Sequence, residues 1–171
     1  MTHTYDTKTP TSDKKTNRLK VKGWKQIFQA KRQGKKARLA ILISDKIDFK
    51  TRAIKRDPEG HFIILKGRIH QEDINIVNIH ALNRGVPKYI KILLKDFKKD
   101  IDSNTIIVGD FNTPFSKMDR SSTQNINKDF VALNNALDQM KLTDTYRAFH
   151  PKKQNTHSFQ IHMEHFQRWI T

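Results

Sequence analysis

The chain has 171 residues, with 33 Lys and Arg against 17 Asp and Glu and a formal charge of +16. This is enough for one domain burying roughly 70% of its extended surface, and such a charge favours a polyanionic partner, nucleic acid first, over a merely solvated basic surface. No cysteine is present, which excludes disulfides, thiolate catalysis and Cys-ligated zinc. No stretch approaches the roughly 18 apolar residues of a membrane span, and Met1-Thr-His-Thr-Tyr-Asp6 has neither the basic start nor the apolar run of a signal peptide. A protein of the nucleus or cytoplasm is the default expectation, with no membrane partner and no indication of oligomeric state.

Residues 1–17 hold Thr, Lys, Asp and Pro10 with almost no apolar content, so disorder is expected there. From Leu19 onward Val21, Trp24, Ile27 and Phe28 bring apolar content, and the basic stretch Lys31 to Lys36 around Gly34 reads as a turn, solvated or in contact with phosphate. Leu39-Ala-Ile-Leu-Ile43 and Phe62 to Leu65 are apolar runs of strand length. Asp57-Pro-Glu-Gly60 has hairpin chemistry and predicts antiparallel pairing of the second run with Phe49 to Ile54. Ile74, Ile76 and Val77 to Ile79 predict another strand.

After Pro87, Tyr89, Ile90, Leu93, Leu94 and Phe97 fall on one face of a helix, with Lys91, Lys95, Lys98 and Lys99 on the other. Thr105 to Val108 predicts a short buried strand, Phe130, Leu133, Leu137 and Met140 a second helix, and Leu142 to Phe149 a further short element. Strands with interspersed helices and hairpin signals predict a mixed α/β layered domain rather than an all-parallel doubly wound sheet.

Chemistry concentrates in Ile106-Ile-Val-Gly-Asp110-Phe-Asn112-Thr-Pro114, an apolar strand ending in a polar tip. If the extended conformation continues, Asp110 and Asn112 share one side. A carboxylate can then orient water and an amide hold a phosphate oxygen, as phosphodiester hydrolysis requires. Asp and Asn before Pro are equally turn formers, so both readings stay open. His80 and Asn83 follow the Ile74 to Ile79 strand; His80 is either a phosphate donor or a strand-end histidine without a role. Arg120, in the polar loop Asp119-Arg-Ser121, is either a DNA phosphate contact or a solvated cation. His157, His162 and His165 lie close in sequence without a zinc-ligand pattern.

Arg18-Leu-Lys-Val-Lys-Gly-Trp24, Ala40-Ile-Leu-Ile-Ser-Asp45, Gly109-Asp-Phe-Asn-Thr-Pro114, Leu133-Asn134 and His150-Pro-Lys152 occur in the order and spacing of one family. Over residues 18–153 the chain resembles the endonuclease domain at the start of the second reading frame of mammalian long interspersed element retrotransposons. The resemblance implies the endonuclease/exonuclease/phosphatase fold, an α+β-type four-layer arrangement of two face-to-face β-sheets flanked by helices. It also implies Mg2+-dependent nicking of A/T-rich DNA that primes reverse transcription. By the same resemblance Asp110 positions the attacking water, Asn112 stands beside it and Asn83 is the asparagine of an active-site turn; Asp119-Arg-Ser121 belongs to the same signature, with Arg120 and Ser121 the candidate DNA contacts.

Departures from the family pattern bear on activity. His80 stands where that turn carries an active-site tyrosine, and Leu82 where it carries proline. Lys8 stands where the family has its metal-binding glutamate, and a cation cannot ligate magnesium. Arg38 replaces a glycine beside a buried strand, an expected disturbance of packing. After His150-Pro-Lys152 the family continues with approximately Glu-Tyr-Thr-Phe-Phe-Ser, whereas this chain reads Asn155-Thr-His-Ser-Phe159. Those residues follow from the family's codons read from their second nucleotide, so the expectation is a partial domain over 18–154 and a frameshift-derived tail over 155–171. The family's first strand and its C-terminal Asp-His groups are missing by this reading. Sheet edges would then be exposed, and nicking would be weak or absent. The runner-up is a noncatalytic basic nucleic-acid-binding module, or a translated remnant with no selected function.

Overall fold

A computed structural model describes residues 21–31, 37–81, 86–110, 128–144 and 159–163. They form strands β1 (Trp24–Lys31), β2 (Ala37–Ser44), β3 (Phe49–Arg56), β4 (Phe62–Ile69) and β5 (Glu72–His80), helix α1 (Val86–Asp96), β6 (Thr105–Asp110), helix α2 (Lys128–Gln139), β7 (Leu142–Asp144) and β8 (Phe159–Met163). β1 and β2 make a two-stranded sheet, and the other six strands pair in the order β3-β4-β5-β6-β8-β7. The chain divides within β5 into two compact units, one ending at Asn78 and the other beginning at Ile79.

In the first unit β1 and β2 pair antiparallel, with Phe28 opposite Ile41 and Ala30 opposite Leu39. Phe28 and Ala30 on β1 and Leu39, Ile41 and Ile43 on β2 are buried at alternate positions, so the hairpin turns one apolar face inward. Across from it, Phe62, Ile63, Ile64 and Leu65 are buried in succession, as a strand covered on both faces requires. Side chains tie the two sheets together. The Gln26 amide donates to the Phe49 carbonyl at 3.0 Å and accepts from the Thr51 hydroxyl at 2.9 Å, while the Asn78 amide donates to the Ala40 carbonyl at 3.1 Å.

The β3-β4 hairpin forms as the turn chemistry predicts, with Ile54 opposite Leu65. Asp57 accepts the Gly60 amide on its carbonyl at 3.0 Å and the His61 amide on its carboxylate at 2.8 Å, and Gly60 supplies the positive φ of 78°. β4 runs past Gly67 to Ile69, farther than the apolar run that signals it. Gly67 continues the strand because the Phe49 ring lies over it, within 2.7 Å of where a Cβ would stand. His70 and Gln71 then turn the chain with both φ values positive, 47° and 72°, the signature of a two-residue I′ hairpin. Trp24–Lys31 is a strand that apolar patterning leaves unassigned, because Lys25, Gln26 and Gln29 dilute it. Arg38 is exposed and within 3.4 Å of the His61 ring, so replacing a glycine there does not disturb packing.

In the second unit α1 buries Ile90, Leu93 and Leu94, leaves Tyr89 half-buried and exposes Lys91 and Lys95, as its period predicts, and just beyond its end Phe97 is buried while Lys98 and Lys99 are exposed. Asp102 shapes the turn before β6: its carboxylate accepts from the Asn104 amide and the Thr105 hydroxyl. β6 reaches Asp110, two residues beyond the apolar run. On α2, Leu137 is buried, while the side chains of Phe130 and Leu133 lie outside the described residues. Just beyond the end of α2, Lys141 takes a φ of 54°, a left-handed cap. β8 falls in the stretch 155–171 and pairs antiparallel with both β6 and β7, with Ile107 and Asp144 both opposite Ile161. Residues 1–17, the basic turn at 32–36, and Asn83, Asn112, Arg120 and Ser121 lie outside the described residues.

Candidate functional site

Two of the sequence-indicated residues, His80 and Asp110, are described, and backbone contacts bring the strand ends that carry them together. The Ala81 amide donates to the Asp110 carbonyl at 2.9 Å. Ile79 and Ala81 are fully buried and His80 between them is half-buried, so His80 points away from the face that those neighbours occupy. On β6, Thr105 and Ile107 are buried whereas Ile106, Val108 and Asp110 are half-buried. Each of the two candidate side chains is thus at a partly accessible position of its strand.

Gly109 makes the close approach of the two strand ends possible. Its φ is +148°, and a Cβ there would collide with the Ile79 carbonyl oxygen and lie 2.8 Å from the Ile79 carbonyl carbon and 2.9 Å from its nitrogen. Only glycine fits. Its place next to last in an otherwise apolar strand is the sequence signal for such an approach, which the reading of Asp110 and Asn112 passes over.

A carboxylate at Asp110 can accept a proton from water, and the His80 imidazole can donate to a phosphate oxygen. Among the described residues no group of three or more His, Cys, Asp or Glu comes together. Lys8, at the position that the resemblance assigns to a glutamate ligand, lies outside them. Elsewhere, Asp73 on β5 bridges Arg68 Nε and Arg52 Nη1, both at 2.9 Å. The Arg68 hydrogen bond, followed by the Arg52 charge, holds the Asp73 carboxyl below its ordinary value. Burial pushes the Asp100 carboxyl up.

The two-sheet arrangement, with Asp110 at the tip of β6 beside the end of β5, is the endonuclease/exonuclease/phosphatase fold. No protein-family profile matches the sequence. Among solved structures, the chain is similar to the endonuclease domain of TRAS1, a telomere-specific non-LTR retrotransposon, with a TM-score of 0.60 at 17% identity over 84% of this chain and 68% of that one. It is also similar to D. rerio TDP2 humanized by 14 mutations, with a TM-score of 0.52 at 10% identity over 84% of this chain and 63% of that one. The chain therefore spans less than two thirds of the TDP2 chain. At these identities the likeness is one of fold. No helix among the described residues is long and apolar enough to cross a membrane.

Proposed function

We propose that the chain is a phosphodiester hydrolase of the endonuclease/exonuclease/phosphatase type, of retrotransposon endonuclease descent, that acts on DNA with strongly reduced nicking activity. The observation that carries this reading is the delivery of Asp110 at the tip of β6 by a glycine that no other residue can replace, beside the end of β5 that bears His80. Asp110 takes the proton of the attacking water, and His80 donates to a non-bridging phosphate oxygen. Asn112 and Asn83 complete the polar set by resemblance, and Arg120 and Ser121 contact the DNA backbone.

General acid and base groups contribute about 10²- to 10⁴-fold each, so a Lys8 in place of an acid and a His80 in place of a tyrosine account for a depleted site. Magnesium belongs to the reading only through the family resemblance, and no group of three or more His, Cys, Asp or Glu comes together among the described residues. The formal charge of +16 supports DNA as partner.

The test is nicking of supercoiled plasmid by folded protein in magnesium or EDTA, beside Asp110→Ala. Weak magnesium-dependent nicking that disappears in the variant supports the proposal. Nicking that persists unchanged in the variant removes Asp110 from it. No nicking by folded protein, with duplex binding that falls steeply with salt, establishes the noncatalytic binding module instead.

A further inference from the structure

One end of the β1-β2 hairpin, remote in sequence from Asp110, carries large apolar side chains in a basic surround. Trp24 is 43% exposed and Ile47 42% exposed. Lys22, Lys25, Lys46 and Lys50 are exposed with them, against two carboxylates, Asp45 and Asp48. Asp48 is already matched by Lys50 at 3.6 Å.

The local backbone accounts for the exposure of the indole. A register shift between Trp24 and Gln26 takes Trp24 out of the alternation that buries Phe28 and Ala30, as a β-bulge re-aims a side chain. Gly23, with φ of +86°, makes the bend before it, and a Cβ there would meet nothing within 4 Å. Backbone bonds fix the other half of the patch: the Asp45 amide donates to the Gly23 carbonyl at 3.0 Å, and the Ile47 amide to the Ser44 carbonyl at 3.2 Å. Trp24 and Ser44 are Cα partners, so the indole and the Lys46-Ile47 turn belong to one surface.

We infer that this surface binds single-stranded DNA, with Trp24 stacking on an unpaired base and Lys22, Lys25 and Lys46 contacting the adjoining phosphates. An indole face can stack on a base only where that base is free of its partner strand, and a ring set among lysines is how sequence-tolerant single-strand binding is built. The choice of DNA over RNA rests on the proposed function, since a nick frees a strand end. The binding itself does not depend on catalysis.

Binding is measured with Asp110→Ala protein, so that cleavage plays no part, and with Trp169→Phe, so that Trp24 is the remaining tryptophan. A short oligothymidylate should quench the Trp24 fluorescence. Trp24→Ala should weaken its binding roughly 5- to 150-fold, and Trp24→Phe by less. Replacing Lys22, Lys25 and Lys46 by Ala should flatten the dependence of log K on log salt by roughly two. Trp24→Ala protein that keeps its far-ultraviolet circular dichroism and its full affinity overturns the inference, as does saturation by the oligonucleotide without quenching. If Trp24→Ala does not fold, Trp24→Phe and the lysine variant decide it. Tighter binding of duplex overturns the single-strand assignment, and tighter binding of RNA the choice of DNA. Failure of the plasmid assay leaves this result untouched.

Discussion

Gly109→Ala should be among the most damaging single methyl additions the chain can receive. Two effects combine. A φ of +148° lies where L-residues are essentially absent, at a cost of about 1–3 kcal/mol. The added Cβ also overlaps the Ile79 backbone, with 2.8 and 2.9 Å to atoms that no side-chain rotation can move, and overpacking of this kind costs about 1–3 kcal/mol. The total, about 2–6 kcal/mol, is a large part of an ordinary domain's stability of about 5–15 kcal/mol. For a chain of this length each kcal/mol corresponds to about 2–4 °C in Tm. Gly23→Ala is the matched control, because its φ of +86° is also unfavourable but the space around it is open, leaving a backbone cost of about 1–2 kcal/mol. Urea unfolding followed by circular dichroism should show the Gly109→Ala midpoint well below that of Gly23→Ala. Equal midpoints for the two variants, or a Gly109→Ala midpoint at the wild-type value, would refute the packing argument.

Leu65→Ala, at a position with 0% exposure between the two sheets, should lower the unfolding free energy by about 2–5 kcal/mol in the same assay. Asp57→Ala removes the carboxylate that accepts the His61 amide at 2.8 Å and should cost about 1 kcal/mol in the same urea titration. Asp73 and Asp100 should give opposite pH limbs. The Asp73 carboxyl is held below its ordinary 3.8, so its contribution is present above that value and lost as pH falls through the folded pKa; Asp73→Asn should remove this loss from a stability-against-pH curve. Asp100 is raised by burial, so the folded state holds its proton more firmly and stability declines as pH rises from 3.8 through the folded pKa. Asp100→Asn should flatten that decline.

Elements whose apolar positions repeat strongly are legible without coordinates. α1 is the clearest, since buried Ile90, Leu93 and Leu94 and exposed Lys91 and Lys95 separate by helical period alone. The β3-β4 hairpin is legible because Asp57-Pro-Glu-Gly60 names its own turn. The His70-Gln71 turn is not, because neither residue advertises the positive φ that it adopts, and the end of β4 is lost with it. β1 is obscured by Lys25, Gln26 and Gln29, although the Gln26 amide is what ties β1 to Phe49 and Thr51. Arg38 misleads in the other direction: the strand turns its side chain outward, so bulk there meets solvent rather than the core. At the candidate site, residue type points to Asp110, but the reason it can stand beside the end of β5 is the missing side chain of Gly109, an effect visible only in three dimensions.

Fold and chemistry also differ in how many residues carry them. The core is shared among many apolar positions, and a change such as Ile→Val at any one costs about 0.5–1.5 kcal/mol, so the two-sheet architecture tolerates drift. A hydrolytic site rests on a few groups, and losing one costs orders of magnitude in rate while leaving the core intact. Binding driven by lysines is distributed like the core: each phosphate contact adds a similar increment, and no single cation is indispensable. The same chain can therefore keep the fold and its affinity for polyanions after most of its rate enhancement has gone. Asp110→Ala and the Lys22, Lys25 and Lys46 replacements separate the two properties, because the first should abolish residual nicking with single-strand affinity retained and the second should lower that affinity and its salt dependence.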